Sequence, residues 1–288
     1  MAELRKNHFI PKSVLKYWID PETPHQGIHV YDIAKKRVYV STGAGSTPFS
    51  FAIGRDLYVH TATGTRAVGL EKWFSGLESS LASLSRQAHD RVDEIKLGVL
   101  ANWTKALMAV VSLECRSPYV IRKMEKALQD NPSLREIISP DATRPVQQQV
   151  LENIIHQVSE RVAAVTPVAL TFLHAPEGKS WVVSDRPYFN DGRLPQRFVV
   201  LTNKVLLVYE RGSSAFMYQH QTATVDFNAT INHQLAVHAR EWLAADSRSL
   251  LDEYVPVIGS EEWLESVASE TIDVDPVRYL TSSWTIDR

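Results

Sequence analysis

The chain has 288 residues, 44% of them hydrophobic and 22% charged, and its 31 basic and 33 acidic side chains leave a formal net charge of −2. That balance excludes a collagen-like or disordered chain, and it leaves no overall field to draw the protein to nucleic acid or an anionic membrane. The single cysteine, Cys115, excludes an internal disulfide framework and fits a reducing compartment, so a cytoplasmic location is expected.

The opening segment, MAELRKNHFIPK, is charged but has no apolar run behind it, so no secretory signal is expected. The first ~60 residues read as short strands between turns. Ile28, Val30 and Ile33 approach one strand pattern, and Arg37 to Val40 give another, with Ala34 to Lys36 as the turn between them. The loop Ser41 to Pro48 carries glycine, but no Lys-Ser or Lys-Thr follows it, so it fails the phosphate-loop template.

From Leu70 the period changes. Leu70, Trp73, Phe74, Leu77, Leu81, Leu84 and Ala88 recur at helical steps, and Val99 to Val111 form a second, more apolar helical pattern. Its stretch from Ala106 to Leu113 is too short to span a membrane, which needs about 20 apolar residues. Tyr119 to Gln129 reads as a third helix, and Pro145 opens a fourth with Val146, Val150, Leu151, Ile154, Ile155, Val158 and Val162 on one face.

Strand character returns at Val168 to Leu173 and Trp181 to Val183, read as a hairpin around Ala175 to Lys179. Phe198 to Leu201 and Val205 to Tyr209 read as a second hairpin. Ile231 to Leu243 reads as a late helix, and the tail from Trp263 as partly ordered. No internal repeat or composition break divides the chain. The expected fold is α+β: short N-terminal strands, a central helical core, C-terminal β-hairpins and a late helix, in a single domain over residues 1–288.

No strong catalytic or zinc motif is present, and His233 and His238, five residues apart, do not share a helix face as metal ligands would. Four short stretches join a polar group to a conformational lock. They are Asn7-His8-Phe9-Ile10-Pro11, Arg116-Ser117-Pro118, Ser184-Asp185-Arg186-Pro187, and Asn232 with Arg240 on the late helix. Plain alternatives exist for each: a packed N-terminal anchor, a helix C-terminus satisfied by arginine, an Asx turn, and polar residues that fix a neighbouring loop.

In their order these pieces resemble the family known as domain of unknown function 4238. Its pattern has His-His-Tyr-x-Pro, a helical Arg-Thr-Pro and a Ser-Asp-Asn-Pro after a strand. Here the matching residues are Asn7 to Pro11 with Leu15, Arg116 to Pro118, and Ser184 to Pro187. Arg55-Asp56-Leu57-Tyr58, the glutamates Glu71 and Glu78, Asn232 and Ala239-Arg240 resemble further family elements. Asn7 replaces the first histidine, Ser117 the threonine and Arg186 the asparagine of Ser-Asp-Asn-Pro. The resemblance covers residues 7–245 and carries no established activity.

Two functional readings follow. In the first, His8, Arg116, Asp185 and Glu78 line one cleft as catalytic groups, with Asn7, Ser184, Asn232 and Arg240 as binding groups, and the protein hydrolyses a phosphoester or nucleic acid. Its ligand would be a small molecule or a nucleic acid, and a divalent metal is compatible with that chemistry. In the second, the same residues form a structural network in a non-catalytic binding or interaction module, with a protein as partner. Both expect Arg116 and Asp185 to pair, and both expect no membrane.

Overall fold

The periodicities read above become two main sheets and a helical layer, seen in a computed structural model. It describes residues 6–269 apart from 24, 44–48, 56–59, 63–64, 68, 93–94, 96–99, 139–144, 190–195 and 213–215. The chain opens with β1 (Lys6–His8) and one helical turn, α1 (Lys12–Leu15). The hairpin β2 (Gly27–Asp32) and β3 (Arg37–Thr42) follows, then the short strands β4 (Ile53–Arg55), β5 (His60–Ala62) and β6 (Thr65–Ala67).

The helical centre comprises α2 (Gly69–His89), α3 (Leu100–Ser112), α4 (Pro118–Asp130), α5 (Pro132–Ile138) and α6 (Val146–Ala164). After it come β7 (Val168–His174), β8 (Val183–Ser184), β9 (Tyr188–Phe189), β10 (Arg197–Thr202), β11 (Val205–Arg211) and β12 (Met217–Thr222). The chain then forms α7 (Val225–Val237), β13 (Trp242–Ala245), α8 (Arg248–Tyr254) and α9 (Glu261–Ala268). This is the expected α+β arrangement of strands, helices, strands and late helices.

A five-stranded sheet runs β12-β7-β11-β10-β9, and a four-stranded sheet runs β3-β2-β13-β8. In β7 the side chains alternate between buried and half-buried, with Val168, Leu170, Phe172 and His174 turned inward. The central strand β11 and its neighbour β10 are buried along most of their length. α2 packs its Phe74, Leu77, Leu81 and Leu84 face inward and reaches β10 and β11, while α3 lies against both α2 and α6. α7 touches β8 and β9, one strand from each sheet. A single cluster of buried apolar side chains extends from Phe9 to Tyr254 through both sheets and the helices.

Two local expectations are corrected. β7 and β8 do not form a hairpin: β7 pairs with β11 and β12, and β8 pairs with β13 in the other sheet. An apolar run shows that a strand is buried without naming its partner. The late helix stops at Val237, and Trp242 to Ala245, all buried, form a strand between β2 and β8, so burial overrides the helix preference of that Ala- and Leu-rich stretch. The tail from Trp263 begins inside a capped helix, with Ser260 Oγ accepting from the Trp263 amide, and residues beyond 269 lie outside the described ones.

Candidate functional site

Strand pairing and packing fix His8. It sits opposite Ile53 in the β1–β4 pair, and the next amide, Phe9 N, donates to Ala52 O. Phe9 and Ile10 are buried, and the Phe9 ring lies against Trp242, itself in edge contact with Phe51. Pro11 O then accepts from Val14 and Leu15, closing α1. The imidazole is half-buried, and its Nδ1 has no hydrogen-bond partner among the described residues. Burial, then the charges of Lys12 and Arg116, push its pKa below the ordinary histidine value. His8 is therefore neutral at neutral pH and able to accept a proton.

Arg116 ends the turn that closes α3, where its amide donates to Ser112 O. Ser117 then caps α4 by accepting from Val120 N, and Pro118 takes the first helical position, whose amide needs no partner. The Arg-Ser-Pro segment thus stops one helix and starts the next, which holds the arginine backbone rigid. The buried guanidinium lies over the Phe74 ring at 5.1 Å, and its Nη1 donates to Glu78 Oε1 at 3.4 Å. Phe74 and Glu78 stand one turn apart on the same face of α2, so one helix supplies both ring and carboxylate.

The Glu78 side chain is 32% exposed and that of Arg116 only 2%, so this group opens to solvent on the glutamate side. Burial raises the Glu78 pKa above the usual carboxylate value, and Arg116 partly offsets that. His8, shifted down, and Glu78, shifted up, both feel the positive charge of Arg116.

Asp185 does not join them through the expected ion pair. It is fully buried, and its Oδ1 accepts from the amides of Arg240 at 2.8 Å, Glu241 at 3.0 Å and Trp242 at 3.4 Å. No contact to Arg116 is formed among the described residues; the carboxylate instead takes backbone amides at Oδ1. Its Oδ2 has no hydrogen-bond partner among those residues, and burial pushes the pKa up to about 6 against the pull of those amides. Ser184 Oγ accepts from Arg186 N and donates to Arg186 O, an internal turn lock.

Asn232 Oδ1 accepts from Val182 N at 3.0 Å and its Nδ2 donates to Ser180 O at 2.9 Å, clamping the crossing between the sheets. Arg240 lies beyond α7 rather than on it. It donates to Val237 O, Ala239 O and Ser266 Oγ, which holds α9 to the end of α7. Asn7 stands in β1 opposite Gly54, Glu71 lies in the first turn of α2, and residues 56–58 of the Arg55–Tyr58 match fall outside the described residues.

Sequence reasoning missed the group around Glu114, whose partners come from α6, β10 and β11 with no shared spacing. It is buried, and its Oε2 accepts from Arg161 Nη1 at 2.6 Å and Arg197 Nη1 at 2.9 Å, while Tyr209 donates to Oε1. Burial raises the Cys115 thiol to about 11, so it is unreactive at neutral pH. His174 and His220 meet at 2.9 Å, and His174 is pushed down to about 4 by burial and nearby positive charge. No three or more His, Cys, Asp or Glu among the described residues are grouped to hold a metal ion. Among the same residues, no helix is long and apolar enough to cross a membrane.

These features define an α+β protein in which the buried Arg116 lies over the Phe74 ring and bonds Glu78. Residues 6–249 match the family described as protein of unknown function (DUF4238), and the chain belongs to that family. The match runs from β1 into α8 and includes His8, Glu78, Arg116, Asp185 and Asn232. No curated protein and no solved structure matches the chain.

Proposed function

We propose that His8, Glu78 and Arg116 form an acid–base site that hydrolyses an anionic ester, with a phosphoester as the preferred class. The carrying observation is the bond from the buried Arg116 to the part-exposed Glu78 at 3.4 Å, and the opposed pKa shifts of His8 and Glu78, both within the field of Arg116, agree with it. Neutral His8 takes the proton of the attacking water. Protonated Glu78, with Oε1 engaged by Arg116, delivers its proton from Oε2 to the leaving oxygen. The fixed positive charge of Arg116 favours the charge that develops on the phosphoryl oxygens.

This division of labour needs His8 deprotonated and Glu78 protonated. The rate therefore falls on the acid side as His8 is protonated and on the alkaline side as Glu78 ionises, giving a bell-shaped rate–pH profile. With bis-p-nitrophenyl phosphate as substrate, His8→Ala and Glu78→Gln each lower kcat/KM about 100-fold, the usual size of a lost acid or base. His25→Ala, at an exposed turn, leaves the rate unchanged. His89 is unsuitable as that control: it is half-buried, bonds Thr202 Oγ1 at 3.1 Å and stacks on Tyr17. Hydrolysis unaltered by both substitutions at the site would overturn the proposal.

The second reading, a non-catalytic module, draws support from Asp185, Ser184, Asn232 and Arg240, all of which bond to backbone groups. It becomes the better account if the intact protein binds a nucleic acid or protein without turnover.

A further inference from the structure

We infer that Arg161 and Arg197 form a second site, one that binds a small oxyanion such as phosphate or a carboxylate. Both Nη1 atoms are within hydrogen-bond distance of the same Glu114 oxygen, so the two guanidiniums converge on one point. That oxygen belongs to a buried carboxylate whose other oxygen is bonded by Tyr209, which leaves it little freedom to move. Gln157 Oε1 accepts from Arg161 Nη2 at 3.4 Å and steadies that fork from one side.

The charge count separates this group from a structural ion pair. Two guanidiniums face one carboxylate, and among the described residues two positive charges therefore stand against one negative. An excess charge that is partly removed from water is costly unless an anion completes it. The arginine side chains are 26% and 30% exposed, against none for Glu114. The carboxylate thus forms the floor, and the guanidiniums reach solvent. Among the described residues Arg197 bonds a side chain through Nη1, and its remaining N–H groups are the ones offered to a ligand. A planar fork matches phosphate or carboxylate oxygens in pairs. Tyr188, whose hydroxyl accepts from Arg186 at 2.7 Å, faces the same group and adds a polar wall.

The test is equilibrium dialysis of the intact protein with inorganic phosphate, and in parallel with acetate, at constant ionic strength set by chloride. Thermal unfolding is followed under the same conditions. Saturable binding of either anion with a rise in Tm is expected, and the responding anion identifies phosphate or carboxylate as the ligand class. Arg197→Lys and Arg161→Lys keep a positive charge opposite Glu114, but lose the fork and weaken binding at least tenfold. Arg211→Gln, at an exposed position, leaves it unchanged. No saturable binding by the wild-type protein overturns the inference, and that result requires no variant to fold. Binding that is equally strong in both lysine variants also overturns it, because the anion would then be held elsewhere, as at Arg116.

Discussion

Asp185 shows how one side chain can be essential to the backbone without being stable in its charged form. Its folded-state pKa of about 6 exceeds the ordinary 3.8, so the folded protein holds that proton more tightly than the unfolded chain does. Its contribution to stability therefore falls as pH rises from about 4 to about 6, by roughly 3 kcal/mol. Asp185→Asn keeps an acceptor for the amides of residues 240–242 and removes the ionisation, so urea unfolding should lose that pH dependence. Asp185→Ala strands the same amides and is expected to cost about 2–4 kcal/mol. Equal midpoints for the two variants at pH 7 would refute the argument. At this scale the sequence marked His8, Arg116 and Asp185 as polar groups beside conformational locks, and Glu78 through the family resemblance; of these, Arg116 bonds Glu78. It could not show that amides 240–242 would take Asp185, because a carboxylate's partner depends on where a distant strand lies.

At the scale of elements, the helices were readable because each needs only its own 3.6-residue period. The β-pairings were not, because β8 finds its partner some sixty residues on, in a stretch whose composition favours helix. What guides the chain from one sheet to the other is Asn232, fully buried on α7, which satisfies both Val182 N and Ser180 O. Asn232→Ala should cost about 2–3 kcal/mol, since it leaves the Val182 amide buried without a partner. Asn228→Ala should cost less, because its longer bond to Ser180 O, 3.3 Å, duplicates the one from Asn232. Chemical denaturation of the two variants side by side measures that ranking, and the reverse order would show that the clamp has been misplaced.

At the scale of the whole molecule, the continuous apolar cluster gives the N-terminal strands, the helices and both sheets a common interior. Trp18 adds a polar tie, donating from Nε1 to Trp181 O at 2.7 Å across 163 residues of sequence. We expect one cooperative unfolding transition, with near- and far-ultraviolet circular dichroism changing together. Limited proteolysis should release no stable half that ends near residues 139–144, since α6 packs on α3 and α4 from before that point. Two separate transitions would divide the chain into domains. A shared interior also matters for the turn between α3 and α4, which sends Glu114 toward Arg161 and Arg197, and Arg116 toward Glu78. With a single residue between them, neither can shift without tugging the other's backbone. If both places bind ligands, thermodynamic linkage makes the influence reciprocal: whatever factor occupancy of one changes affinity at the other must be returned unchanged.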